Sequence, residues 1–272
     1  MPQPSPWHGK LALITGASSG IGAAAARRFA RGGLRLALTA RRQPRLEALA
    51  AELRASGAQV DSFPADLSNT AALPILIEQI QARCGGVDVL VNNAGLGWYG
   101  YFSEMPWDIA AEILAVNVVA AAQLARLCLP GMCARGLGRV INVGSVSGSL
   151  PSQGVAIYGS SKAFLDNFTS ALQRELRGTG VTASCVRLGP VDTEFYPVSA
   201  SHAGSSTFPA GRFSISAPRA ADGLFRLLDH PRRAVYLPAV LAAAPWLDLT
   251  FGWLIDRIGP LLLKRRPTQT QT

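Results

Sequence analysis

The sequence predicts an α/β fold, a doubly wound parallel β-sheet with helices on both faces, and three observations lead to this class. The 272-residue chain is 49% hydrophobic and only 16% charged, a balance that suits helices packed on a buried sheet. Short apolar runs alternate with helical patterns from one end to the other, as in repeated βα units. A glycine-rich turn follows the first apolar run, where a parallel strand would pass into its helix.

Seven short apolar runs are interpreted as strands. They are Leu11–Thr15, Leu34–Ala40, Gln59–Pro64, Val87–Asn92, Arg139–Val143, Val181–Leu188 and Ala234–Leu237. Helical spacing of apolar residues marks Arg45–Arg54, and a longer helical run, Ile109–Leu129, is long enough to flank the whole sheet. Because open α/β sheets bind ligands at the carboxyl ends of their strands, we expect the functional residues there.

Composition and charge exclude several classes of protein. The net charge is +9, but the 26 basic residues are scattered and no nucleic-acid-binding motif accompanies them, so nucleic acid is not an expected partner. The four cysteines and three histidines lack metal-ligand spacing, and no metal site is predicted. The proline-rich amino terminus carries no apolar leader, and free thiols suit a reducing compartment, so the expected location is the cytoplasm.

The glycine-rich turn follows a strand and opens an alanine-rich helix. It consists of Thr15, Gly16, Ala17, Ser18, Ser19, Gly20, Ile21 and Gly22. Glycines at these places let the backbone turn tightly and approach a pyrophosphate, whose charge the helix amino terminus stabilises. The pattern predicts a Rossmann-like dinucleotide site; a glycine turn without a ligand is the alternative.

The end of the second strand indicates which dinucleotide binds. NAD-dependent proteins of this architecture need a carboxylate there, whereas the 2′-phosphate of NADP(H) calls for arginine. The chain has Arg41 and Arg42, and the next carboxylate is Glu47. NADP(H) is therefore the predicted cofactor, unless the two arginines simply begin a solvated helix.

Tyr158 and Lys162 stand four residues apart and share one face of a helix that runs to Arg177. With 5 tyrosines and 3 lysines in the chain, this spacing arises by chance about one time in twenty. A nearby ammonium is expected to lower the pKa of the phenol, which makes Tyr158 a candidate proton donor. A hydroxyl donor is expected after the strand that ends at Val143, and Ser145, Ser147, Ser149 and Ser152 are all candidates.

These motifs resemble the short-chain dehydrogenase/reductase family from Lys10 to about Leu237. The resemblance implies a catalytic trio of Ser145, Tyr158 and Lys162, with Asn117 holding a water in a proton relay. It also implies cofactor contacts beyond the glycine turn and the arginines. These are Asp66, Leu67, Asn93, Ala94, Gly95, Tyr158, Lys162, Val191 and Thr193. Leu188-Gly189 stands where the family usually has Pro-Gly, so this strand exit is less rigid than usual.

The resemblance implies an oxidoreductase that transfers a hydride between NADP(H) and a carbonyl or secondary alcohol. Apolar candidates for the substrate pocket predict a lipophilic ketone or aldehyde, although each could equally serve in packing. They are Trp98, Tyr99, Tyr101, Phe102, Leu150, Val155, Phe195 and Tyr196. The alternative function is a non-catalytic NADP(H) sensor or a membrane-surface assembly protein on the same fold.

The dinucleotide-binding catalytic domain is predicted over residues 1–237, with a mobile lid at about 194–217. Residues 238–272 form an apolar extension that includes Trp246, Phe251 and Trp253, followed by Lys264, Arg265 and Arg266. Such a helix must be covered, either in a homo-oligomer or on a membrane surface. The subunit interface is the favoured interpretation, because the extension lacks a broad charged face.

Overall fold

The computed structural model describes residues 5–206 and 214–262. The strands are β1 (Leu11–Thr15), β2 (Arg35–Ala40), β3 (Val60–Pro64), β4 (Val89–Asn92), β5 (Gly138–Ser145), β6 (Val181–Leu188), β7 (Val191–Asp192), β8 (Ile215–Ser216) and β9 (Ala234–Leu237). The α-helices are α1 (Gly20–Arg31), α2 (Gln43–Ala55), α3 (Leu73–Cys84), α4 (Trp107–Leu114), α5 (Ala121–Arg135), α6 (Ala156–Glu175), α7 (Phe195–Ser201), α8 (Ala217–Asp229) and α9 (Ala244–Leu262).

Seven of the described strands form one parallel sheet in the order β3-β2-β1-β4-β5-β6-β9. Its strands point alternate side chains to opposite faces, so each face has its own core. On β1, Ala12 and Ile14 pack in a cluster with residues of α1, α2 and α8, whereas Leu11 and Leu13 pack with residues of α3 and α5. The predicted doubly wound α/β fold is confirmed.

Three predicted strands begin one or two residues too early, and β5 extends to Ser145 instead of ending at Val143. The predicted helix over 109–129 is part of one continuous helical stretch, Trp107–Arg135, which is longer than predicted. Between α4 and α5 the chain forms a π-helical segment, Ala115–Ala120, which contains the buried Asn117. The local widening is consistent with the hydrogen bonds that this side chain makes outside the helix.

The predicted lid begins as α7 and ends with β8, which pairs with β7. Part of that lid, residues 207–213, lies outside the described residues. The carboxyl-terminal extension continues from β9 through a 3₁₀ turn, Ala239–Ala243, into α9. Most apolar side chains of α9 are exposed to solvent. The exposed ones are Trp246, Leu247, Leu249, Phe251, Trp253, Leu254 and Ile258.

Candidate active site

A cavity of 310 Å³ opens at the carboxyl ends of β1, β2, β4, β5 and β6. It brings together residues from every motif that the sequence singled out. Its walls include Gly16, Ser18, Ser19, Gly20, Ile21, Arg41, Arg42, Asp66, Leu67, Asn93, Ala94, Gly95, Ser145, Tyr158, Lys162, Val191 and Thr193. Of the residues predicted to bind the cofactor, Gly22 alone is not on the wall, because it packs beneath the turn.

The glycine turn joins β1 to α1 in a conformation that needs glycine. Gly16 and Gly20 have φ angles of +64° and +52°, in the left-handed region. A Cβ atom on Gly22 would lie 2.3 Å from the carbonyl oxygen of Gly16, so the helix starts too close to the turn for any side chain. Ser19 does not cap α1 through its side chain, and the first turn of α1 has no acidic residue. This cradle fits the pyrophosphate of a dinucleotide.

The end of β4 supports the turn from below. The Thr15 hydroxyl accepts hydrogen bonds from the amides of Asn93 (3.0 Å) and Ala94 (2.9 Å). The Asn93 side-chain amide donates to the carbonyl oxygen of Thr15 at 2.9 Å. A Cβ on Gly16 would lie 2.9 Å from the Cα of Ala94. The turn and the β4 loop are therefore held as one surface under the cavity.

An arginine cluster lies at the end of β2. Arg42 donates to the hydroxyls of Ser19 (2.6 Å) and Ser18 (3.3 Å), which places its guanidinium over the glycine turn. Arg42 and Arg45 also pair with Glu194, and these bonds lower the pKa of the Glu194 carboxyl. Sequence reasoning missed Arg45 and Glu194.

Arg41 points to a different partner. Its guanidinium pairs with Glu112 of α4 at 2.5 Å, although it also lines the cavity. Glu112 is 71 residues away in the sequence, so only the fold could reveal this pair. The two predicted arginines thus lie in the same cavity with different neighbours.

The catalytic trio meets where β5 ends against α6. The Lys162 ammonium donates to the carbonyl oxygen of Val143 at 2.9 Å and lies 5.8 Å from the centre of the Tyr158 ring. The Ser145 hydroxyl is a hydrogen-bonding neighbour of the Tyr158 phenol. Ser145 lines the cavity, whereas the hydroxyls of Ser149 and Ser152 donate to backbone carbonyls of their own loop. Ser147 does not line this cavity, so geometry favours Ser145 among the four candidate serines.

Burial has the largest effect on the pKa values of Tyr158 and Lys162. It raises the pKa of Tyr158, and the hydrogen bond from Ser145 only partly opposes the rise. Burial also lowers the pKa of Lys162 to about 8, against the attraction of Cys185 and Asp166. The expected lowering of the Tyr158 pKa by Lys162 does not appear in this structure, where burial raises that pKa and Ser145 is the group that opposes the rise.

Asn117 lies beside the trio, buried in the π-helical segment. Its side-chain oxygen accepts from the Leu96 amide at 2.9 Å, and its nitrogen donates to the Leu96 carbonyl and the Ser161 hydroxyl at 3.0 Å each. A Cβ on Gly95 would lie 3.4 Å from the Asn117 oxygen and 3.3 Å from the Lys162 nitrogen. Asn117 thus fixes the loop after β4 against α6, next to Lys162. Its part in a proton relay stays a prediction.

The remaining predicted contacts flank the cavity on two sides. Asp66 and Leu67 follow β3, and the Asp66 carboxylate accepts from the amide and hydroxyl of Ser68. Val191 and Thr193 follow β6, and a Cβ on Gly20 would lie 3.1 Å from the Thr193 side chain. The residues after β6 therefore close over the glycine turn.

A second cavity of 60 Å³ adjoins Ser145 and Tyr158. Five predicted pocket residues line it: Trp98, Tyr99, Val155, Phe195 and Tyr196. Tyr101, Phe102 and Leu150 do not. Phe102 lies half-exposed on a 3₁₀ turn that carries the chain outward, Tyr101 packs beside Tyr99 and Val155, and Leu150 lies in the loop after β5. Phe102 lines a smaller cavity beside Trp98 and Tyr158 instead, and the part of these three residues in a substrate pocket stays a prediction.

Comparison with known proteins agrees with this geometry. The short chain dehydrogenase family profile matches residues 10–202. A short chain dehydrogenase of Pseudocercospora fijiensis is 40% identical over 189 residues, which cover 69% of this chain and 61%, less than two thirds, of that protein. A short chain dehydrogenase/reductase from Burkholderia phymatum, in complex with NAD, superposes with a TM-score of 0.83 at 26% identity, covering 98% of this chain and 99% of that one.

A short-chain dehydrogenase from Sphingobium yanoikuyae, in complex with NADPH, superposes with a TM-score of 0.78 at 31% identity. That superposition covers 97% of this chain and 99% of the other, so it includes most of the carboxyl-terminal extension. The family match spans well over half of the chain, and it contains the glycine turn, Ser145, Tyr158 and Lys162. The chain therefore belongs to the short-chain dehydrogenase/reductase family of oxidoreductases.

Proposed function

We propose that this protein is an NADP(H)-dependent oxidoreductase that interconverts a lipophilic ketone or aldehyde and its alcohol. One observation carries the proposal. A single cavity joins the glycine turn and the arginines at the end of β2 to Ser145, Tyr158 and Lys162 at the end of β5. A dinucleotide lying in it would have its phosphates at the turn and its reactive ring beside the Tyr158 phenol.

The choice of NADP(H) over NAD(H) rests on the arginine cluster. The two structural neighbours differ, since one was solved with NAD and the other with NADPH. In this chain Arg41 and Arg42 line the cavity next to the glycine turn, and an arginine fork binds a phosphate through charge-assisted hydrogen bonds. The carboxylates nearest to them, Glu112 and Glu194, are already paired with arginines.

The chemistry is divided between the cofactor and this chain. A bound nicotinamide ring supplies or accepts the hydride. We expect Ser145, which lines the second cavity, to donate a hydrogen bond to the carbonyl oxygen, and Tyr158 to give that oxygen its proton and take it back in the reverse direction. Lys162, whose ammonium lies 5.8 Å from the centre of the Tyr158 ring, would bind the ribose next to the nicotinamide.

The second cavity supports the proposed substrate class. Trp98, Tyr99, Val155, Phe195 and Tyr196 give it apolar and aromatic walls. Among the described residues, no arginine, lysine or histidine lines this cavity, so its lining offers nothing to bind a phosphate or carboxylate group on the substrate. These walls favour an apolar ketone, aldehyde or secondary alcohol.

A spectrophotometric assay tests the proposal. The purified protein is mixed with NADPH or NADH and a panel of aliphatic and aromatic ketones, aldehydes, quinones and 3-oxoacyl thioesters. We expect oxidation of NADPH with at least one apolar carbonyl compound and much slower oxidation of NADH. Tight NADPH binding without turnover of any compound would favour the sensor alternative, and failure to bind NADPH would refute the cofactor assignment.

We also propose that α9 packs against a second copy of this chain. Trp246, Leu249 and Trp253 are 71%, 79% and 68% exposed, so the two parts of α9, which meet at a kink at Phe251, leave a large apolar surface uncovered. Asp248 and Asp256 lie beside that surface, and neither forms an ion pair with another described residue. An anionic membrane would repel them, whereas a second copy with net charge +9 offers arginine partners.

A further inference from the structure

A carboxylate lies inside the arginine cluster at the end of β2. The Oε2 atom of Glu194 is 2.8 Å from Nη1 of Arg42, and its Oε1 atom is 2.6 Å from Nη1 of Arg45. Nη1 of Arg45 also lies 2.7 Å from Oε2, so Arg45 contacts both carboxylate oxygens and shares Oε2 with Arg42. Glu194 directly precedes α7, so the contact joins the segment after β6 to the start of α2.

Arg42 and Glu194 line the part of the cavity that suits an added phosphate, and Arg45 adjoins it through its ion pair with Glu194. Arg42 also donates to Ser18 and Ser19 of the glycine turn, so its guanidinium sits between the turn and Glu194. Carboxylates and phosphates bind an arginine fork through the same oxygen geometry. A phosphate group and the Glu194 carboxylate would therefore compete for the same N–H groups.

A phosphate on a bound ligand can displace the Glu194 carboxylate from the two arginines. The side chains of Arg42, Arg45 and Glu194 are 41%, 52% and 46% exposed, and exposed ion pairs contribute little net free energy because water and salt screen them. A phosphate carries up to two negative charges against the single charge of Glu194. It can displace the carboxylate, but breaking the two ion pairs lowers its net affinity.

We propose that Glu194 is an internal anion that occupies the binding position of the cofactor's 2′-phosphate on Arg42 and Arg45, and so limits the preference for NADP(H) over NAD(H). This inference rests on the proposed function, since it assumes that the cavity binds an adenine dinucleotide. It assigns a specificity-determining role to Glu194 and adds Arg45 to the phosphate site.

Two small nucleotides test the inference without turnover. Adenosine 2′,5′-bisphosphate and AMP differ only in the 2′-phosphate, and calorimetry gives their dissociation constants for the wild type and for Glu194→Gln. We expect the variant to bind the bisphosphate about three- to tenfold more tightly, as removal of an exposed competing ion pair allows, and to bind AMP within about twofold. Glu52→Gln is the matched control, because Glu52 makes an equally exposed pair with Arg27 away from the cavity. It is expected to leave both constants unchanged.

The outcomes separate this inference from the cofactor assignment. If the wild type prefers the bisphosphate and Glu194→Gln binds it no more tightly, Glu194 does not compete and the inference is overturned. If the wild type shows no preference but the variant acquires one, Glu194 masks the arginines, which supports the inference and refutes the assignment to NADP(H). No preference in either protein overturns both. An equal gain with Glu52→Gln also overturns the inference, because the effect would then reflect net charge alone.

Discussion

The Lys162 ammonium donates a 2.9 Å hydrogen bond to the carbonyl oxygen of Val143, which ties α6 to the end of β5. This contact places the ammonium beneath the Tyr158 ring and beside the large cavity. Desolvation of the Lys162 ammonium is unfavourable at this position, since the residue is only 5% exposed. The buried positive charge therefore lowers the free energy of unfolding, but it lies next to the proposed catalytic tyrosine.

Replacement of Lys162 by Met should therefore stabilise the fold at pH 7. The pKa of Lys162 is about 8 in the folded chain, whereas an unfolded chain keeps the ordinary lysine pKa of 10.5. Below pH 8 the folded state bears the full penalty, which is at most about 3 kcal/mol at 1.36 kcal/mol per pKa unit. Between pH 8 and 10.5 the unfolded chain binds more protons, so this contribution to wild-type stability rises with pH.

Urea denaturation of the wild type and Lys162→Met at pH 7 and pH 9.5 measures this effect. We expect the variant's larger free energy of unfolding at pH 7 to shrink at the higher pH. Loss of the bond to Val143 makes the gain smaller than the upper limit but does not change its pH dependence. A difference between the two proteins that is the same at both pH values would contradict the lowered pKa of Lys162.

Tyr158→Phe should abolish most of the activity while leaving the fold and cofactor binding intact. The ring still packs against Phe195, whose centre lies 5.5 Å away, and only the hydroxyl that transfers the proton is lost. We expect kcat to fall about a hundredfold or more, with an unchanged dissociation constant for NADPH. Tyr101→Phe, outside both cavities, is the control and should retain full activity. If Tyr158→Phe works within a few-fold of the wild type, Tyr158 is not the proton donor.

Arg42→Ala should weaken NADPH binding by about tenfold or more, since charge-assisted hydrogen bonds contribute about 1.5–3 kcal/mol. NADH binding should change little. Arg41→Ala should have a smaller effect in the same direction, because Arg41 pairs with Glu112 of α4, whereas the Arg42 guanidinium lies over the glycine turn. Fluorescence titration of both cofactors with the three proteins checks this order. Equal affinity of the wild type for NADPH and NADH, with both affinities unchanged in the two variants, would show that these arginines do not bind a 2′-phosphate.

Local patterns were enough to predict the sheet and the residues at its carboxyl edge. The spacing of Gly16 and Gly22 reflects one tight turn, and the spacing of Tyr158 and Lys162 reflects one helix face. Such features depend on neighbours a few residues away. Parallel strands then carry them to a common edge, so the fold class alone brings the motifs together.

Long-range electrostatics could not be predicted in this way. Arg42 and Glu194 are 152 residues apart, and nothing near either one in the sequence indicates the other. The direction of the Tyr158 pKa shift could not be predicted either, because it depends on how completely other elements bury the phenol. The π-helical segment at Asn117 also depends on a partner, Leu96, that lies in a different loop.

Gly22→Ala should destabilise the protein and weaken nucleotide binding together. The added methyl group would lie 2.3 Å from the Gly16 carbonyl oxygen, so α1 and the turn must move apart. Overpacking of this kind costs about 1–3 kcal/mol. Gly131→Ala is the matched control, because its methyl group would meet only the flexible end of Arg135 on α5. Thermal denaturation and NADPH titration compare the two variants, and equal behaviour would contradict the close approach at Gly22.

Leu249→Glu with Trp253→Glu should break the proposed contact between two copies of the chain. Both side chains are exposed on α9, and burying an apolar side chain of this size contributes about 1.5–3 kcal/mol. Loss of two such contacts on each copy weakens a dimer by about a hundredfold or more. We expect light scattering to give the mass of a dimer or larger assembly for the wild type and a lower mass for the variant. Ile75→Glu, at an exposed apolar residue of α3, is the control and should keep the wild-type mass.

Truncation after Leu237 and liposome flotation separate the two possible coverings of α9. If α9 joins two copies, the truncated chain loses mass in light scattering and the full chain does not float with vesicles of anionic phospholipid. If the full chain floats and keeps the same mass after truncation, the membrane covers the helix instead, with Lys264, Arg265 and Arg266 near the headgroups. A truncated chain unchanged in both assays would refute both coverings, since an apolar helix left in water would then have no role in association.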